Sequence, residues 1–467
     1  METSNAATLL LLNLPDRALA GIDLLSFTTT PRFKGIKHLP PGLHLVFTST
    51  NASLGVRHGA WFRVTSTGSS ATGPPDLFIK KWDPATESLV KEHDTTELLR
   101  WRANLGGVWR EGLTPYRQSA SASASDHSDS TIAGLQQEET GDWPLLTSHI
   151  TPHLLMRICG PTPNHWALTS ASSAKRDMDD IPGLTASEAS GVLGTERELV
   201  FLPVDLKRTW REGATGRERT EGAQDRSWAL SDLIACYCGD GNDGRGDGGG
   251  RGGGENEVLG EMQFCFLMVL TLSNYSCLEQ WKRILELLFT CVKAVEQRGG
   301  LFVRMVKVLR LQLQHCEDVE GGLIDLTDEG AKLLKGWMRR FKKGLESVSG
   351  VGKQEVVDEL DELQEYLKER HGWEVEGDFV RRGMVQLEDG EQVELEVGGW
   401  DEEEEEGDWA PVVVELTDEQ RAMIGGGSEE SGSGVNRNMK SMKELSLQER
   451  DEEEEDEQDP DDMDIRY

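Results

Sequence analysis

Cysteine is scarce: there are seven in 467 residues, an odd number, and Cys265, Cys277 and Cys291 sit inside apolar stretches where a thiol behaves as a small hydrophobe. A disulfide framework is therefore not expected, and a reducing compartment is. Cys236-Tyr237-Cys238 has neither a second cysteine pair nor a histidine at ligand spacing, so no metal site is assigned. Long hydrophobic runs are missing as well. The longest, Met262 to Leu272, spans 11 residues with Gln263 inside it, too short to cross a bilayer. No basic residue precedes Leu9–Leu12, so that run is not expected to act as a secretory leader. Catalytic signatures are absent too: the chain has no Gly-x-Ser-x-Gly, no His-Glu-x-x-His and no paired Cys-x-x-Cys, and its ten histidines are scattered. His149 and His153 stand four apart, but Pro152 lies between them and no carboxylate is placed beside them. A structural or surface role is expected for both. No catalytic and no cofactor-binding residue is assigned.

Positive charge is in short supply, with 49 Lys plus Arg against 83 Asp plus Glu and a formal net charge of −34. A chain with that balance is repelled by a phosphate backbone, which argues against nucleic-acid binding by bulk electrostatics. The excess is local. Residues 351 to 467 carry 40 acidic and 11 basic side chains, a net of −29, which leaves −5 for the first 350 residues. Those 350 residues are long enough to bury substantial cores.

Along the chain, residues 8–158 form a β-rich N-terminal domain interrupted by a Ser/Ala/Asp/Gln-rich insertion at 117–141. That composition cannot offset the entropy of ordering, so the insertion is expected to be disordered. Leu9 to Leu14 is an apolar run, and Ile22 to Phe27 is a second β-rich run entered at Gly21. Leu43, Leu45 and Phe47 alternate with His44, Val46 and Thr48, and Ala60, Phe62 and Val64 share one strand face while Trp61 and Arg63 take the other. An antiparallel β-sandwich-like domain follows. Glu97 to Asn104 is a short helix. Residues 159–197 are expected to be a loose linker. Residues 198–238 hold a strand at Glu198 to Leu202 and a helix at Asp225 to Cys238, capped by Asp225 or Ser227 with Trp228 in the core. Gly239 to Gly254 is a glycine run, and residues 239–257 are taken as a flexible linker; the Lys-Ser/Thr of a phosphate loop is absent. Apolar residues at three- and four-residue spacing then predict an α-helical domain over 258–370, with one helix ending at Gly299-Gly300. Sheet first and helices afterwards argues for an α+β multidomain chain of separate domains.

The remainder, 371–467, is an acidic and mostly disordered tail with one contrast. Between the runs Asp401–Glu406 and Asp451–Glu457 lies a β-prone segment, 410–416, in which Pro411, Val412, Val413, Val414, Glu415 and Leu416 are suited to adding a strand to another protein's sheet edge. Lys207, Arg208, Arg211, Arg217 and Arg219 are read as a solvated loop; whether RNA is touched directly stays open.

Several blocks resemble a known family. Leu9-Leu-Leu-Leu-Asn-Leu-Pro15, Gly21-Ile22-Asp23, Pro31-Arg-Phe-Lys-Gly-Ile-Lys37, Pro40-Pro-Gly-Leu-His44, Ile79-Lys-Lys-Trp-Asp83 and Trp143-Pro-Leu-Leu-Thr-Ser-His149 look like the N-terminal signature of the AAR-two splicing-factor family. Glu218-Arg-Thr220, Asp225-Arg-Ser-Trp228, Leu259-Gly-Glu-Met-Gln-Phe264 and Glu279-Gln-Trp-Lys-Arg283 resemble the blocks of its helical domain. The match runs in order over roughly residues 8 to 316. It implies a VHS-like helical domain behind the sandwich, and a non-enzymatic pre-mRNA splicing role as assembly factor of the U5 small nuclear ribonucleoprotein. The implied partner is the large spliceosomal scaffold protein, Prp-eight, held through its RNase-H-like and Jab/MPN-like domains, with the tail pairing to its strands. A monomer in cytoplasm and nucleus, with no membrane contact and no cofactor, is the accompanying expectation. The alternatives weighed beside it are a helical adaptor for membrane traffic and a hydrolase in the β-rich domain.

Overall fold

A computed structural model describes residues 7–51, 55–65, 76–118, 141–175, 177, 198–237, 253–316, 329–350, 352–372, 381–386 and 392–397. Strands come first: β1 (Ala7–Leu12), β2 (Leu19–Ile22), β3 (Leu25–Thr28), β4 (Gly35–Leu39), β5 (Gly42–Ser49), β6 (His58–Val64), β7 (Leu77–Asp83) and β8 (Ser88–Lys91). Helix α1 (Thr95–Glu111), β9 (Leu113–Pro115), α2 (Trp143–Leu146), α3 (Pro152–Cys159) and β10 (Trp166–Thr169) follow. One sheet has the order β8-β7-β1-β4-β9 and the other β10-β6-β5-β2-β3. The second is antiparallel throughout; the first is mixed, because β1 pairs parallel with β7 and β4 parallel with β9.

Side-chain alternation stacks these sheets into layers. Leu9 and Leu11 of β1 meet Ile22, Val46, Ala60, Phe62 and Val64 of the facing sheet, while Leu10 and Leu12 point the other way, under α1. Leu45, Phe47 and Trp61 project from the far face of the second sheet into the helices. Both faces of the central strands are thus covered, which is why β1 is buried along its whole length.

Three expectations change here. The run from Ile22 to Phe27 is a hairpin, because Asp23 takes a left-handed conformation (φ 57°) and turns the chain between β2 and β3. The helix predicted at Glu97 to Asn104 extends to Glu111, since Leu98, Trp101, Leu105, Val108 and Trp109 keep helical spacing against the β1 face. The linker predicted at 159–197 supplies β10, whose Trp166 and Leu168 are buried as it pairs with β6 from Trp166↔Trp61 to Thr169↔His58. Most of the predicted insertion at 117–141 lies outside the described residues.

The helices are α4 (Gly216–Gln224), α5 (Ser227–Cys236), α6 (Gly253–Leu272), α7 (Tyr275–Phe289), α8 (Val295–Gln314), α9 (Glu329–Glu346) and α10 (Lys353–His371). Helix α6 is buried almost all round from Val258 to Leu272, as a central core helix must be. It starts inside the predicted linker 239–257: a Cβ on Gly254 would fall 2.2 Å from the Ile234 carbonyl oxygen, so glycine here permits close packing on α5. Gly299-Gly300 does not end a helix; it lies within α8, just after a non-helical Arg298 (φ −132°, ψ 31°). Glu198 to Leu202 forms no strand, because its amides go elsewhere: Leu199 N–H to the Ser173 carbonyl, Val200 N–H to the Ile158 carbonyl, and Leu202 N–H to the Glu261 carboxylate. Trp228 is 43% exposed, not core.

One hydrophobic core runs from Leu45, Phe47 and Trp61 through Trp143, Leu146, Leu154 and Ile158 into α6, α7 and α8. Sheets and helices therefore belong to a single unit, residues 1–377, where the sequence suggested separate domains. Residues 378–467 form a second unit, in which β11 (Arg381–Gln386) and β12 (Gln392–Val397) pair as an antiparallel hairpin. The tail predicted as mostly disordered thus contains regular structure near its start, where Gln392 to Val397 alternates valine or leucine with glutamate or glutamine.

Candidate functional site

The segment proposed for strand addition, Pro411, Val412, Val413, Val414, Glu415 and Leu416, lies outside the described residues. Among the described residues a buried acid–base constellation joins two residues whose family blocks the sequence showed but whose pairing it did not. His44 on β5 has its Nδ1 2.7 Å from Asp23 Oδ2 and its Nε2 2.8 Å from the Pro40 carbonyl oxygen. A carbonyl only accepts and a carboxylate accepts, so both ring nitrogens carry hydrogen and the ring is an imidazolium. Burial by itself would depress the His44 pKa; the charge and hydrogen bond of Asp23, with the Pro40 carbonyl, outweigh it and hold the pKa above its ordinary value. Asp23 also accepts the Leu45 amide at 2.8 Å and the Tyr116 hydroxyl at 2.7 Å. Burial and Asp23 push that phenol far up. With His44 1% and Asp23 0% exposed and every ring nitrogen engaged, the group clamps the β2–β3 hairpin to β5 and to the segment after β9. It offers no open acid or base to a substrate.

Lys80 on β7 is a second buried group. Its ammonium is 2.9 Å from His165 Nδ1, donates to the Asn164 carbonyl at 3.3 Å and lies 5.6 Å from the centre of the Phe62 ring. Burial, and then the charge of Lys91, push its pKa down to about 7. The contact ties the first sheet to the turn that leads into β10. His149 and His153 are not brought together: the His149 backbone amide donates to Gln263 on α6, while His153 is 76% exposed in the first turn of α3, with Nδ1 3.3 Å from Glu257.

The seam between sheets and helices is held by a buried polar knot. Glu261, fully enclosed on α6, accepts from Arg157 Nη2 at 2.8 Å, from Gln280 Nε2 at 2.8 Å and from the Leu202 amide at 2.9 Å. Burial drives its carboxyl pKa upward, against the pull of Arg157 and these donors. Arg157 reaches from α3 to Glu257 as well, at 3.2 Å, and its guanidinium lies over the Tyr237 ring. Five separate segments meet here, so the knot fixes how the sheet region sits on the helices.

On the surface, Trp210, Trp228 and Tyr237 line a groove of about 300 Å³ with Asp205, Glu212 and Asp232. The nearby basic residues are largely occupied within the chain: Arg211 pairs with Glu218, Arg217 with Glu221, and Arg219 donates to the Ala214 carbonyl. Arg208, from the same basic set, lines the groove. Ser227 and Asp225, expected as alternative caps of α5, both bind backbone: Asp225 accepts the Ser227 and Lys293 amides and Ser227 Oγ accepts the Ala294 amide. Among the described residues no cluster of three or more His, Cys, Asp or Glu is arranged to hold a metal ion, and no helix is long and apolar enough to cross a membrane.

The comparison with known proteins accords with this layout of paired sheets sealed onto helices. The model of the AAR2 N-terminal domain matches residues 5–160, and that of the AAR2 C-terminal repeat region matches residues 201–376. A mouse protein named Protein AAR2 homolog is 26% identical over 328 residues, covering 66% of this chain and 75% of its own length. The human protein of that name is 26% identical over 317 residues with the same coverage, and that of Caenorhabditis elegans 24% over 320 residues, covering 67% and 80%. Two family regions in order, spread over most of the chain and meeting in one core, leave a single conclusion: this chain belongs to the AAR2 family.

Proposed function

We propose that the chain acts without catalysis in pre-mRNA splicing, as an assembly factor of the U5 small nuclear ribonucleoprotein that holds the large scaffold protein through its RNase-H-like and Jab/MPN-like domains. The observation that carries this reading is the ordered match of both AAR2 regions across 5–376. Two of the chain's buried charged groups, around Asp23 and Glu261, are closed structural clamps. In this reading the helices form a VHS-like stack, the protein works as a monomer in cytoplasm and nucleus, and the segment Pro411 to Leu416 adds a strand to the scaffold. The acidic stretch 401–467 competes with RNA for basic surfaces of that partner.

Binding of the purified scaffold domains to the full chain tests the proposal, with a chain lacking Pro411 to Leu416 beside it. Capture by the full chain and a weakening of about tenfold or more on deletion are expected, the loss of a short run of backbone hydrogen bonds and side-chain pockets. Removing 401–467 is expected to flatten the salt dependence of binding. No binding by the full chain sinks the assembly reading; unchanged binding after the short deletion sinks strand addition alone.

A further inference from the structure

We infer that the free edge of β3 is a docking site for an extended, acidic β-strand of a partner. Among the described residues β3 pairs on one side only, with β2, in the register Leu19↔Thr28 to Ile22↔Leu25. The Thr29 amide donates to the Ala18 carbonyl, so by the two-residue period of the ladder Phe27 and Leu25 face β2, while Ser26 and Thr28 turn their backbone N–H and C=O outward. Both are exposed. Proteins guard such edges with charge, proline or cover. Here β8 ends on Lys91 and β9 on Pro115, whereas Leu25 to Thr30 has neither a charge nor a proline.

Beside this edge, between β3 and β9, opens an apolar groove of about 310 Å³, floored by Ile22 and Ile36 and walled by Leu25, Phe27 and Phe33. Phe27 and Phe33 meet edge to face at 5.1 Å. A strand added to β3 places every second side chain in that groove. Charge selects the occupant. No carboxylate occurs from Leu24 to Leu39 or from Gly112 to Gln118, and the exposed Arg32, Lys34 and Arg117 have no ion-pair partner among the described residues. In a chain of net charge −34 this corner is basic, so it fits a strand that alternates apolar residues with Asp or Glu.

The test uses the full chain and a terminally blocked, fluorescent peptide of alternating Val and Glu, with an alternating Val and Lys peptide as comparison. Saturable binding of the acidic peptide is expected, with the basic peptide at least about tenfold weaker. Ser26→Pro removes an outward N–H that β2 does not use and is expected to weaken binding about tenfold while leaving the thermal midpoint nearly unchanged. Arg32→Glu with Arg117→Glu is expected to weaken the acidic peptide and improve the basic one; this second variant keeps the test decisive if the proline disturbs the sheet. Equal binding of the two peptides, no binding, or full affinity in both variants overturns the inference. So does a concentration-dependent dimer that Ser26→Pro abolishes, which would give the edge to a second copy of the chain.

Discussion

A histidine held between a carboxylate and a carbonyl cannot lose its proton without losing a hydrogen bond, and this makes His44 a pH-dependent clamp. Its pKa in the folded chain lies above the unfolded value of 6.5, so its contribution is fully present below that value and is lost as pH rises through the raised folded value. The urea midpoint of the natural chain is accordingly expected to fall, as pH rises from below 6.5 through the raised folded value, by a component that His44→Gln lacks, with the variant most destabilised at the acid end. Arg157 gives the opposite slope. Arg157→Ala leaves Glu261 buried without its cation, an expected loss of about 3 kcal/mol near neutrality. Because burial raises the Glu261 pKa, protonation relieves that penalty as pH falls, so the gap in thermal midpoint between variant and natural chain narrows in acid.

At the scale of elements, glycine decides how closely α6 packs. A Cβ on Gly260 would stand 2.4 Å from the His149 carbonyl oxygen, whereas Gly300 in α8 has nothing within 4 Å. Gly260→Ala is expected to destabilise by about 1–3 kcal/mol. Gly300→Ala is expected to stabilise by up to about 1 kcal/mol, since it adds helix propensity without a clash. Thermal midpoints of the two variants, moving in opposite directions, are the measurement. The same contrast explains the misplaced boundaries. Glycines in sequence mark freedom of the backbone equally well at a linker, a helix end or a close crossing, and only the neighbour across the gap tells Gly254 and Gly260 from a linker residue.

For the whole molecule, the core shared by Trp61, Trp143 and Phe264 predicts that residues 1–377 unfold in one cooperative transition. Trp61→Ala is expected to shift that single calorimetric peak downward; two separable peaks for the sheet and helical regions would contradict the shared core. The edge of β3 belongs to this scale as well, because a groove between strands remote in sequence exists only once both sheets are stacked.

Strand and helix periodicity, the acidic balance of the last 117 residues, the lack of catalytic motifs and the ordered family blocks all follow from residues close together in the chain, where spacing and charge act locally. From these the sandwich, the helical half and the family were legible. Tertiary structure alone decided that the two halves share one core, that a presumed linker closes a sheet through Trp166, and that His44 and Asp23, which end two separate family blocks, form a buried ion pair. Each of these joins groups far apart along the chain. Their energies depend on burial and on who stands opposite, which no local pattern of residues encodes.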